Sequence, residues 1–319
     1  MGFLQENGIL NRKGLFGGAT AFSPLNIAGL KLWVSADYGV TTGSVSYISQ
    51  IVVSGCDPST SNGTYTRNVG GVQSFVSGSN SIDFEDDVWY LYDADSNVVT
   101  FANYSDLDEG SWEVFAGNSF GTAVNSTTSE TVITEVLDQS GNSNTLSYSY
   151  GSPTLSTNII NSKPAFYFFG GRLEGLDIST GKSLYAVIKL GATSPSGYKN
   201  ILELSGGGLY TSIANNEWGS YFSNFNGSGQ QLSTNTSYII GSISSNGTSY
   251  KFRSNGSQIK TDTDGQGFYG RGTLYFGNDS SHGQPANCYV TEALVYDTAI
   301  SDGDAQQLEN YLNTKYAIY

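Results

Sequence analysis

Helical spacing is confined to the end of this chain, and what precedes it is patterned as strands and turns. In residues 301 to 316, Ala305, Leu308, Leu312 and Tyr316 recur at three-and-four intervals and form one stripe, while Gln306, Glu309, Asn310 and Asn313 are placed to face water. Ser301 is set to cap the first turn, and Asp304 three residues on completes an S-x-x-D form of the capping box. Burying Leu308 and Leu312 would contribute roughly 1.5–3 kcal/mol each. The helix is therefore expected to pack on a sheet, reached directly from a strand over Tyr289 to Tyr296.

The composition suits many short strands joined by tight turns. The chain has Gly 40, Tyr 22 and Phe 16 but only Pro 6 and Met 1, and its 38% of apolar residues are enough for a sandwich core. KSLYAVIKL from Lys182 and ILEL at Ile201 to Leu204 are nearly continuous apolar strands. Asn246-Gly247 and Asn255-Gly256 each sit between alternating segments, and Asn-Gly readily takes the two positive-φ positions of a type I′ hairpin. Three consecutive antiparallel strands follow. A βαβ fold is excluded, because no long helical segment separates the strands.

The last strand and helix resemble the C-terminal signature of concanavalin A-like, laminin-G-like domains, in the version common in phage virion proteins. There an acidic E-x-L-x-Y-D strand runs into L-S-D and a helix ending Y-L-x-x-K-Y. The matching residues are Glu292, Leu294, Tyr296, Asp297, Ile300, Ser301, Asp302, Tyr311, Leu312, Lys315 and Tyr316. Three further segments resemble the family in order: LKLWVSAD at Leu30 to Asp37, LDQSGNSN at Leu137 to Asn144, and NSKPAFYFFGG at Asn161 to Gly171. Leu137 stands near where many relatives carry Trp. The resemblance implies an all-β fold: an antiparallel β-sandwich (jelly roll, laminin-G-like) with a small inserted β module and a short C-terminal helix.

It also implies a role. The expectation is a structural protein of a phage virion, a tail-fibre, head-fibre or capsid-decoration subunit made in the host cytoplasm. Its partners would be other virion proteins, further copies of itself and host-surface glycan. The alternatives are a dedicated carbohydrate-binding adhesin and a polysaccharide depolymerase.

Composition shifts suggest three parts. Residues 1–24 read as an attachment arm, in which Phe3, Leu4, Ile9, Leu10, Leu15 and Phe16 are apolar footholds among glycines. The arm either docks on a partner chain in the virion or packs along its own domain. Residues 25–50 and 126–319 form the sandwich. Residues 51–125 read as an insert, a length that loop-closure entropy tolerates. Its pattern of N-G-x-Y, W-x-L-Y-D and a further Trp resembles a small β module of phage tail and fibre proteins.

Fourteen basic against 28 acidic residues, with a pI of about 4.3, argue against a surface that tracks DNA or RNA. No stretch approaches the ~20 apolar residues of a membrane span, and the N-terminus does not read as a secretion signal. Asn62, Asn103 and Asn125 begin Asn-x-Ser/Thr sequons that turn chemistry explains. Cys56 and Cys288 are far apart, and a reducing cytosol gives them little reason to pair. One histidine and two distant thiols disfavour zinc.

No catalytic residue is assigned. Sandwich relatives that cleave β-glucans carry an E-x-D-x-E strand, which is missing here, and the acidic run Glu85, Asp86, Asp87 reads as solvated charge. A triad of His282 with Asp279 and a nearby serine lacks the rigid surroundings that orient one. A polar glycan contact suits Asp279 and His282 better, since loops at the end of a sandwich carry function. Trp218 and Tyr221, flanked by polar residues in an expected loop, are the aromatic candidates for stacking on sugar. No cofactor is required. Calcium is what the resemblance would allow, with Asp262, Asp264 and Asp279 as scattered oxygen donors.

Overall fold

A computed structural model describes residues 22–319 apart from 55–61, 68–73, 86–87, 93–94, 96–97, 104–121, 176–181, 192–197, 205–206, 213–216, 223, 232–237, 264–272 and 279–285. Two antiparallel sheets face each other. The first runs in the order β10 (Thr154–Ile160), β11 (Lys163–Phe169), β22 (Asn287–Tyr296), β13 (Ser183–Leu190), β18 (Ile239–Ser245), β19 (Ser249–Ser254) and β20 (Ser257–Thr263), with β1 (Leu30–Ser35) also pairing β22. The second begins β17 (Asn224–Gln231), β16 (Glu217–Phe222), β15 (Gly207–Ser212), β14 (Tyr198–Leu204), β21 (Leu274–Phe276), β12 (Arg172–Gly175) and β9 (Leu146–Tyr150). It continues through β8 (Thr122–Val136) and β2 (Val40–Ser54) into β3 (Gly63–Arg67), β4 (Ser74–Ser77), β5 (Asn80–Glu85), β6 (Val88–Tyr92) and β7 (Val98–Asn103).

Phe166, Phe168, Ile188, Phe252, Leu274 and Phe276 belong to the core between the sheets and are all but fully buried. Their rings pack edge to face: Phe168 and Phe276 lie 5.2 Å apart at 77°. Cys288 is a free thiol in this core, and burial pushes it well above the usual thiol range. Cys56 lies outside the described residues.

β2 and β8 cross the expected edges of the insert, since they are paired continuously from Val40↔Val136 to Ser54↔Thr122. Between these ends the ribbon is polar and largely exposed, with Ser46 and Ser129 hydrogen-bonded across it at 2.9 Å. At the far end, Ile51, Tyr65, Phe75, Ile82 and Leu91 are buried and belong to neither core of the sandwich. In β6, Leu91 is buried, while Tyr90 and Tyr92 are half-buried with ring centroids 6.1 Å apart.

The two Asn-Gly turns differ. Asn255 and Gly256 have φ of 48° and 80° and join Ser254 to its partner Ser257, the two-residue type I′ geometry. In the other turn only Gly247 has positive φ, so the I′ expectation fails there. Asn246 instead uses its side-chain carbonyl, which accepts from the backbone N–H groups of Thr248 and Ser249 at 2.9 Å each and closes a longer loop.

The helix α1 (Asp302–Tyr316) forms where the spacing predicts and covers part of the outer face of the first sheet. Ala305, Leu308, Leu312 and Tyr316 are buried against Tyr185, Val187, Ile240, Leu294 and Tyr296. Ser301 Oγ accepts the Asp304 N–H at 3.1 Å and donates to the Asp304 carboxylate at 2.7 Å. One expectation is overturned: Glu309, placed by the helical wheel in water, is fully buried. Arg253 on β19 reaches it with Nε and Nη2 at 2.7 and 2.8 Å, a bidentate pair that satisfies both carboxylate oxygens. Glu309→Ala should cost about 3–5 kcal/mol in chemical denaturation, because it strands a buried guanidinium, whereas the double change Glu309→Leu with Arg253→Met should recover most of the loss.

Candidate functional site

The signature residues assemble around one carboxylate. Glu292 on β22 is fully buried. Trp33 Nε1 on β1 donates to its Oε1 at 2.6 Å, while Lys315 Nζ and Tyr316 Oη on α1 donate to its Oε2 at 2.7 and 2.6 Å. Burial and the neighbouring Glu292 push the Tyr316 phenol far above its usual range. Lys315 also approaches Asp37 at 3.5 Å, and Lys163 reaches the same carboxyl at 3.4 Å. Burial opposes ionisation of Asp37, but a hydrogen bond from Ser35 and the two ammonium groups outweigh it and hold the carboxyl below its ordinary 3.8. These groups tie strand, strand and helix together.

The LDQSGNSN turn is also a fastener. Asp138 accepts from the backbone N–H of Trp33 at 2.9 Å, and Asn142 and Asn144 donate to the carbonyls of Leu30 and Lys31 at 2.7 Å each. Side chains thereby occupy the edge of β1 that β22 leaves open, which blocks pairing there by another chain. On the second sheet, Arg172 is buried, ion-paired with Glu174, hydrogen-bonded to Ser149 and laid over the Tyr275 ring at 4.9 Å.

Of the residues singled out for ligand contact, two lie on a described strand and two lie outside the described residues. Trp218 and Tyr221 sit on β16, paired with Thr211 and Gly208 of β15, so the loop expected there is a strand. Nothing of their side chains is described. Asp279 and His282 lie outside the described residues, as do Phe3, Leu4, Ile9, Leu10, Leu15, Phe16 and the calcium candidate Asp264. Asp262 on β20 is paired with Tyr250 of β19. Among the described residues no group of His, Cys, Asp and Glu is clustered to hold a metal ion.

A different constellation occupies the outer face of the first sheet, beside the helix. Its origin is a bulge. On β22, Glu292 pairs Val187 and Val290 pairs Ile188, so Thr291 is the extra residue. A one-residue slip exchanges the faces. The bulge therefore puts Tyr289 on the same outer face as Glu292, Leu294 and Tyr296. Tyr167 of β11 pairs directly with Tyr289, Lys189 of β13 pairs with Tyr289 from the other side, and the Ile188↔Ile239 pair sets Tyr238 next to Lys189. The result is a transverse row, Tyr167, Tyr289, Lys189, Tyr238, crossing β11, β22 and β13 to the residue that leads into β18, over about 14 Å at the usual strand spacing.

The row is aromatic on both sides of its cation. Tyr167 and Tyr289 stack with centroids 4.6 Å apart at 26°, and Phe169 continues the stack at 6.4 Å and 9°. Lys189 Nζ lies 5.8 Å from the Tyr289 centroid and 5.5 Å from that of Tyr238. All four residues are half-buried. Among the described residues, Lys31, Lys163, Lys251 and Lys315 each hold a carboxylate, whereas Lys189 has none. The Tyr167 and Tyr289 hydroxyls make no hydrogen bond among the described residues either. Burial, reinforced by Tyr289 and Cys288, raises the Tyr167 phenol. The sequence carries a partial sign of this row in KPAFYFF, where Phe166 and Phe168 point inward and Tyr167 and Phe169 alternate with them.

These features define the class: an all-β antiparallel sandwich whose outer face is shared between a helix and an aromatic, singly cationic row. No family model matches the chain, and no curated protein sequence matches it. Among solved structures it is similar to the receptor-binding domain of botulinum neurotoxin C/D mosaic serotype, with 15% identity and a TM-score of 0.42 over 55% of this chain and 48% of that one. It is similar at 16% identity and a TM-score of 0.41 to the botulinum neurotoxin serotype D binding domain, over 55% and 49% of the two chains. It is similar at 12% identity and a TM-score of 0.42 to Trypanosoma rangeli sialidase in complex with 2,3-difluorosialic acid, over 78% and 46%. The chain spans about half the length of these solved chains.

Because Asp37 is held below its ordinary value in the native state, its contribution is full above pH 3.8 and fades as pH falls through the lower native value. Asp37→Asn should therefore melt below the wild type above that pH, and the two curves should converge in stronger acid. A gap that persisted unchanged at the acid end would rule out the carboxylate as its source.

Proposed function

We propose that this protein is a structural subunit of a phage virion, of the fibre or decoration kind, that presents its sandwich for noncovalent contact with saccharide on the host surface. The observation that carries the binding part is the row of Tyr167, Tyr289, Lys189 and Tyr238. It combines apolar ring surface with two phenol hydroxyls that make no hydrogen bond among the described residues and an ammonium that has no carboxylate partner among them. A saccharide offers the complement, since its C–H surfaces suit aromatic rings and its hydroxyls suit phenol and amine partners. The row stands on central strands of a packed sheet, which hold its spacing without a ligand.

The particle part rests on the four ordered signature segments. The arm would dock on other virion proteins, and many copies on one particle would convert weak single-site affinity into avidity. Immunolabelling of particles should place this chain on the virion, and deletion of residues 1–24 should abolish its incorporation. On a glycan array the wild type should give hits that fall by about tenfold in Tyr289→Ala, as loss of a ring contact implies. An array with no hits, or hits indifferent to Tyr289, would overturn the row as the binding site.

A further inference from the structure

The chemistry of the row narrows what it holds. The protein carries a net charge of −14, and among the described residues Lys189 is a half-buried cation without a carboxylate. It projects from the middle of the first sheet between two phenol rings, at 5.5 and 5.8 Å from their centroids. Tyr289 and Tyr167 stand on the two strands to one side of it. A neutral sugar would use the hydroxyls and leave the ammonium uncompensated. An ammonium with no arginine beside it in the row among the described residues matches a single negative charge better than a dianion.

We infer that the row of Tyr167, Tyr289 and Lys189 binds a carboxylated saccharide, with the ammonium of Lys189 on the sugar carboxylate and the two phenols on neighbouring sugar hydroxyls. The assignment rests on the saccharide-binding function proposed above and adds the class of sugar. A row of four half-buried side chains about 14 Å long suits one or a few residues of a sugar chain, whereas a stable protein contact needs about 800 Å² per side.

Titration calorimetry of the full chain with tri-galacturonate, and with the same trisaccharide after reduction of its carboxyl groups to primary alcohols, tests this. The acid should bind at least about tenfold more tightly than the reduced sugar, as a charge-assisted hydrogen bond implies, and the preference should weaken as salt is raised. Lys189→Gln should erase the preference, Lys189→Arg should retain much of it, and Tyr289→Ala should weaken both sugars. Equal binding of both sugars, still lost in Tyr289→Ala, would overturn the carboxylate and leave the saccharide site standing. A preference for the acid that survives Lys189→Gln would place the carboxylate elsewhere. Failure of both trisaccharides to bind would overturn the carboxylate; array hits that depend on Tyr289 would then still uphold the saccharide site, and their absence would remove it. Self-association in sedimentation that Lys189→Glu abolishes would instead make the face a contact between copies.

Discussion

A carboxylate removed from water must be compensated in place, and Glu292 meets that demand with three donors from two other elements. Desolvation of such an ion costs several kcal/mol after relaxation, so a position of α1 that withdrew Lys315 and Tyr316 would be strongly disfavoured. Trp33 adds the tie to β1. Apolar burial alone would let the helix slide along a greasy sheet; the ionic anchor selects one register. The Arg253 and Glu309 pair acts in the same way nearer the middle of the helix, so α1 is pinned to β22 and to β19.

The helix then divides the outer face. The bulge at Thr291 turns Tyr289 to the side on which Glu292, Leu294 and Tyr296 meet α1. Tyr238 packs against the helix-covered cluster at one end of the row, and Tyr167 closes the other beside the edge strand β10. One inserted residue therefore decides whether a tyrosine faces the inner core or the outer face of the sheet. The same edge of β22 serves β11 before the bulge and β1 after it.

Much of the fold is legible locally. The helical stripe, its Ser301 cap, the Asn255-Gly256 turn and the antiparallel strands follow from periodicity and turn chemistry, which act within a few residues. Glu309 and Asn246 were misplaced for complementary reasons. The partner that buries Glu309 is Arg253, 56 residues away in sequence, and no helical wheel contains it. Asn246 solves its turn with a side-chain carbonyl, an option that its dipeptide leaves open alongside positive φ.

The signature residues were legible as a family pattern, whereas their work as a buried network and an edge cap was not, because hydrogen-bond partners such as Trp33 and Glu292 are 259 residues apart. The loop expectation at Trp218 and Tyr221 fails for the same reason. Aromatic residues beside polar ones suggested a loop at Trp218 and Tyr221, but strand pairing overrode that local impression. Local periodicity and turn chemistry by themselves determined an all-β, antiparallel class and a single helix at the end of the chain, since these depend on short-range physics. Only tertiary structure decided which charges are buried, which face of β22 carries Tyr289, and that β22, β13 and the residue leading into β18 set two phenols around one lysine. Register, bulges and cross-strand neighbours depend on partners that lie far away along the chain.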